Sequence, residues 1–135
     1  MENPIKQIIK FNSDAGLLDG YDYFLESSML IEEALEGFDL GVLKPKDVAR
    51  QICSPLGFTG SEVDSLDKSC DAAIIAVGGI AKHGLTYSQV VRALNVVMQA
   101  NFAKLGMPRD EHGKLQKPDN FVGPEAALQQ ILDER

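Results

Sequence analysis

Apolar positions along this chain recur at helical rather than strand spacing, and the residues between them are those that start and stop helices. Asn3-Pro4 has the form of an N-cap followed by a proline in the first turn, and opens a short helix to about Asn12. Ser13 to Gly20 is a loop by composition. From Tyr21 to about Phe38 the pattern is helical, with Phe24, Ile31, Leu35 and Phe38 on one stripe and Glu26, Glu33 and Glu36 roughly opposite. Lys44-Pro45 starts a further short helix through about Cys53, with the proline at its first position. Ser61 and Asp64 resemble a capping box for a helix from Glu62 to about Lys82, which His83-Gly84 ends. Thr86 and Gln89 form a second capping box and open a helix from Tyr87 to about Leu105, with Gly106 as its stop. Met107 to Gly123 is a polar loop, and Pro124 begins a last short helix. No segment alternates as a strand does, and no internal repeat is present. The predicted class is all-α: a single domain over 1–135 built as a helical bundle.

Ala72 to Ala81 (AAIIAVGGIA) carries no polar side chain. A helix that is apolar on every face is expected to be buried, and Asp71, just before this run, is expected to be drawn inward with it. A buried carboxylate needs a cation, several donors or a proton. Glu33 and Glu36 stand three residues apart, which on a helix is one face. Two helices that each present carboxylates to a shared interior would form a divalent-metal site, and oxygen-only ligands select Mg²⁺ or Mn²⁺ over zinc. The bland alternative for Glu33 and Glu36 is a solvated helix face. Asp64 reads better as a cap, and Asp67, on the stripe of Asp64 and Asp71, suits either a surface charge or a ligand. Cys70 reads as a small core residue. His83 and His112 read as surface or helix-end histidines rather than zinc ligands.

Composition narrows the partners. The chain has 135 residues, a net charge of -7 and 24% charged residues, a balance that argues against coating nucleic acid through phosphate contacts. Its longest apolar run is about half of the roughly 20 residues a membrane helix needs. The first residues lack the apolar core of a signal peptide, and two cysteines make no disulfide framework, so a reduced cytoplasmic setting is expected. Asn101 and Lys104 share a helix face, and Arg109, Lys114 and Lys117 follow in the next loop. Cations gathered in an acidic chain suit a phosphate chain, with a solvated basic loop as the simpler alternative.

The order of these pieces carries a resemblance. A Glu-Glu-x-x-Glu helix comes first, then Asp-x-x-x-Asp leading an apolar helix that closes on Gly-Leu, then Ala-Asn-x-x-Lys and Gly-Lys-x-x-Lys-Pro. Together, from about Ile8 to Leu132, they resemble the MazG-like all-α nucleoside triphosphate pyrophosphohydrolases, a superfamily that includes dimeric dUTPases and phosphoribosyl-ATP pyrophosphohydrolases. The resemblance implies a bundle that oligomerises through long helices, as a homodimer or a dimer of dimers. It implies Mg²⁺ held by Glu33, Glu36, position 68 and Asp71, and cleavage of a nucleoside triphosphate to monophosphate and pyrophosphate. Glu33, Glu36 and Asp71 would be catalytic; Asn101, Lys104, Lys114 and Lys117 match positions near the substrate. Phe11-Asn12 resembles a first-helix Phe-His element, which puts Asn12 near the nucleotide. The chain departs at Lys68, where the pattern has Glu; a lysine cannot ligate Mg²⁺, and Asp67 beside it would have to substitute. The same departure keeps open a catalytically silent nucleotide-binding or protein-interaction module on this fold.

Overall fold

The structure is a computed structural model that describes residues 2–111 and 113–135. It contains six helices among the described residues: α1 (Pro4–Asp14), α2 (Tyr23–Leu35), α3 (Pro45–Cys53), α4 (Glu62–Ala81), α5 (Tyr87–Phe102) and α6 (Glu125–Asp133). The sole extended pairing among them is an isolated bridge between Arg109 and Leu115, so the class is all-α. No described helix is long and apolar enough to cross a membrane.

Helix starts follow the local chemistry of the chain. The Asn3 side chain accepts from the N–H groups of Ile5 and Lys6 ahead of Pro4. Asp64 and Ser61 cap α4 reciprocally: Ser61 N–H donates to Asp64 Oδ2 at 3.0 Å, and Asp64 N–H to Ser61 Oγ at 3.2 Å. Thr86 and Gln89 do the same for α5. Each pairing satisfies donors that a helix N-terminus leaves orphaned.

The chain divides into two compact units, Asp19–Ser65 on one hand and Met1–Leu18 with Leu66–Arg135 on the other. In the second of these, α5 packs against both α1 and α6. Val90, Val91, Ala93 and Met98 of α5 and Ile131 of α6 are buried, and on a helix the four α5 positions fall on one side, which faces the core. Phe11 of α1 meets Phe102 of α5 edge-on at 5.8 Å, and the Asn95 amide donates to Glu2 O at 2.9 Å. In the smaller unit α2 packs on α3, burying Ser28, Ala49 and Cys53, and Tyr23 stacks on Phe58 at 4.3 Å.

Two expectations change. The helix expected to run to Phe38 ends at Leu35, because Glu36 leaves helical conformation at ψ 134° and Gly37 takes φ +86°. A left-handed glycine is the usual helix stop, and Phe38 beyond it is 70% exposed rather than part of a helical stripe. The apolar helix α4 is also not buried within the chain: Ile74 and Ile75 are 69% and 74% exposed, and Cys70 and Asp71 are exposed with them. Apolarity states that a helix should be covered, and it leaves open what covers it.

Candidate functional site

The end of α5 and the loop after it build a cationic site from two separate stretches of sequence. Asn101 lies in the last turn of α5, and Lys104 follows the C-cap Ala103. The Lys104 ammonium donates to Asn101 Oδ1 at 3.3 Å, and the Asn101 amide points to the Met98 sulfur. The loop then folds back on itself. Asp110 N–H donates to Lys114 O at 2.8 Å, Lys114 N–H donates to Asp110 Oδ1 at 3.0 Å, and Gly113 takes φ +79° at the turn. The Arg109 guanidinium donates to Gly113 O at 2.9 Å and to Ala15 O, tying the loop to the end of α1.

That anchored loop delivers Lys117 and Phe121 to the end of α5. The ammonium groups of Lys104 and Lys117 each lie 5.4 Å from the centre of the Phe121 ring. The ring's negative face attracts both, so it holds two like charges within about 11 Å of each other. A polyanion spanning them would relieve their mutual repulsion, and the half-buried setting of Lys104 reduces solvent screening of that attraction. Phe121 is the residue that sequence reasoning missed; its only signal was an aromatic side chain four residues past Lys117. Lys114 belongs to the same loop and is exposed. Asn12 does not join this group in the way expected: its amide donates to Ile8 O within α1, at 2.8 Å, and its neighbour Phe11 is what contacts α5.

The acidic residues are placed differently. Glu33 occupies the last turn of α2 and Glu36 is its C-cap, so the two do not share a regular helical face as their spacing suggested. Asp67 and Asp71, four residues apart, do share a face of α4, one turn apart and both exposed, with Lys68 half-buried beside them. Asp71 is therefore a solvated carboxylate in the single chain, not one drawn into its interior. Asp64 is committed to the cap of α4. Glu33 and Glu36 belong to one unit, Asp67 and Asp71 to the other. Among the described residues no three His, Cys, Asp or Glu side chains gather at one point. Their all-oxygen chemistry is that of ligands for a hard cation such as Mg²⁺, but among the described residues they are not gathered into a group that could hold one.

His83 is a helix-end histidine as expected, with Nδ1 at 2.9 Å from Gly79 O; His112 lies outside the described residues. An apolar cleft of about 290 Å³ opens between Ile80, Leu94, Val97, Leu128 and Ile131. Apart from His83 its walls are aliphatic, with no lysine or arginine among them, so this cleft is a poor match for a phosphate chain. Compared with models of protein families, with curated proteins and with solved structures, the chain matches none.

Proposed function

We propose that this chain is a Mg²⁺-dependent nucleoside triphosphate pyrophosphohydrolase, converting a nucleoside or deoxynucleoside triphosphate to its monophosphate and pyrophosphate and so clearing unwanted nucleotides in the cytoplasm. One observation carries the reading. Lys104, hydrogen-bonded to Asn101 of the same motif, and Lys117 from another both lie over Phe121, an arrangement that suits a phosphate chain. In the reaction, a water oxygen attacks the α-phosphorus and the bond to the α–β bridging oxygen breaks. The electron pair leaves with pyrophosphate, whose growing charge Lys104 and Lys117 stabilise. The water's proton passes to a carboxylate, for which Glu33, Glu36 and Asp71 are the proposed acceptors. Glu33, Glu36 and Asp71, with Asp67 in place of a ligand at position 68, would hold Mg²⁺, or Mn²⁺, and when bound the ion supplies charge neutralisation to the triphosphate. Self-association, as a homodimer or a dimer of dimers, belongs to the same proposal.

The test is pyrophosphate release from a panel of nucleotides with Mg²⁺ and with chelator. Glu33→Gln and Asp71→Asn should each lower turnover at least ~100-fold, the scale of a lost proton acceptor, with the helical circular dichroism unchanged. Both residues are exposed, so the fold is not at stake. Full turnover in either variant removes that residue from the site.

Lys68 favours a second reading, a module that binds nucleotides or a protein partner without turning over. Lys68→Glu separates the two. If the carboxylates act together, the added charge should lower the melting temperature without metal, and Mg²⁺ or Mn²⁺ should raise it more than in the parent. Equal metal-induced shifts would place Lys68 outside any metal site.

A further inference from the structure

Helix α5 packs on both α1 and α6, whereas among the described residues α4 packs closely on no other helix. Its last turn still comes beside α5 and α6, because Gly84, at φ +87°, turns the chain from one helix into the next. The wedge between the three is the cleft of about 290 Å³. Ile80 comes from α4, Leu94 and Val97 from α5, and Leu128, Ile131 and Leu132 from one face of α6. Such a wall offers close contact to hydrocarbon and no hydrogen bond. An apolar cavity of about 150 Å³ takes up benzene, so on that scale this cleft has room for roughly eight to twelve carbons.

The rim carries the polarity. Among the described residues His83, in the turn between α4 and α5, is the one polar residue of the lining, and its Nδ1–H donates to Gly79 O at 2.9 Å. The Arg135 guanidinium donates to His83 O at 2.8 Å. Its stem lies along the turn, since a Cβ on Gly84 would stand 3.8 Å from Arg135 Cδ. Arg135 follows Leu128, Ile131 and Leu132 at helical spacing, so the apolar stripe of α6 leads to a cation at its end. The acidic residues beside it are engaged elsewhere: Glu134 pairs with Arg92, and Asp133 accepts from the Gln129 amide on another side of α6. A guanidinium has five N–H donors, and the bond to His83 O uses one of them.

We infer that the cleft binds an aliphatic carboxylate, a free fatty acid of about eight to ten carbons, with its chain between α4, α5 and α6 and its carboxylate on Arg135. One guanidinium suits a single negative charge and not a triphosphate. The site shares no residue with the cationic loop around Phe121, so it is independent of the nucleotide reading.

Calorimetric titration of the purified chain with acetate, hexanoate, octanoate and decanoate tests it. Octanoate should bind one to a chain and acetate should not bind. Each added methylene should tighten binding about four-fold until the cleft is full, since burying one is worth about 0.8 kcal/mol. Arg135→Gln, at an exposed position, should weaken octanoate several-fold and leave octanol, which has the same chain without the charge, unchanged. Val97→Phe should abolish binding of both by filling the cleft, with the helical circular dichroism intact. No octanoate binding to the parent would overturn the site, as would many molecules bound per chain with no limit on length, the behaviour of a general apolar surface. Equal effects of Arg135→Gln on octanoate and octanol would overturn the seat of the carboxylate. If octanoate is ignored while Val97→Phe converts an oligomer to a monomer in light scattering, the cleft belongs to a second copy and the inference is wrong.

Discussion

Phe121 gives two lysines from distant parts of the sequence a common anchor, and a phenyl ring does this through its quadrupole rather than through a hydrogen bond. Phe121→Leu keeps an apolar side chain of similar bulk while removing that attraction. It should weaken binding of inorganic pyrophosphate several-fold, with a stability change below about 1.5 kcal/mol, the range of tolerated apolar swaps. Lys104→Ala should weaken it further, since one charge is lost outright. Calorimetric titration with pyrophosphate at two salt concentrations reads both effects, and the loss in Lys104→Ala should come with a shallower salt dependence. Unchanged binding in both variants would leave the basic loop a solvated surface. Neither Asn101 next to Lys104 nor the Gly-Lys-x-x-Lys-Pro run indicates on its own that the two meet; a pair of hydrogen bonds between Asp110 and Lys114 turns the intervening loop back and closes the distance.

At the scale of elements, the starts of helices were legible and their ends less so. Caps are local: Asn3, Ser61 and Thr86 act on N–H groups two or three residues ahead, so four residues of sequence contain the interaction. Thr86→Ala should therefore lower stability by about 1 kcal/mol, read from a chemical denaturation curve, whereas Thr86→Ser should recover most of it. An unchanged midpoint for Thr86→Ala would mean that packing alone holds the start of α5. Ends depend on which glycine adopts a left-handed conformation. Gly37 and Gly41 both take positive φ, at +86° and +64°, and sequence alone did not say that the first of them would stop α2 before Glu36. With that stop, the three-residue spacing of Glu33 and Glu36 ceased to be helical spacing.

Across the whole molecule, charge links parts that sequence keeps apart. Arg92 of α5 grips Glu134, just past α6, with nitrogen–oxygen distances of 2.6 and 3.2 Å. The hydrogen bond from Arg92 holds the Glu134 carboxyl below its ordinary value of 4.5; desolvation opposes it, and the Arg92 charge adds a smaller lowering effect. A carboxyl lowered on folding contributes stability above its unfolded value and loses it as pH falls through the folded one. Glu134→Gln should therefore melt at a lower temperature than the parent at neutral pH, and the gap should close as pH drops below 4.5. A gap that is the same at every pH would assign the effect to packing rather than charge. The net charge of -7 works in the other direction, since like-charged copies repel at long range. Added salt should therefore ease any self-association by screening that repulsion.

Sequence by itself determined the helical class, where helices begin, and which residues could carry charge to a phosphate chain, because periodicity and caps are interactions among neighbours. It also marked Ala72 to Ala81 as a surface in need of cover. Tertiary structure decided the rest. It folded the 106–120 loop so that Lys104 and Lys117 share Phe121, turned the Asn12 amide into its own helix, and left Asp71 and the apolar side of α4 exposed in the single chain. The physical reason is range: a cap spans a few residues, whereas what covers a hydrophobic face is set by which other surface has the matching shape and charge, and hydrophobic burial is indifferent to where along the sequence, or on which copy, that surface lies.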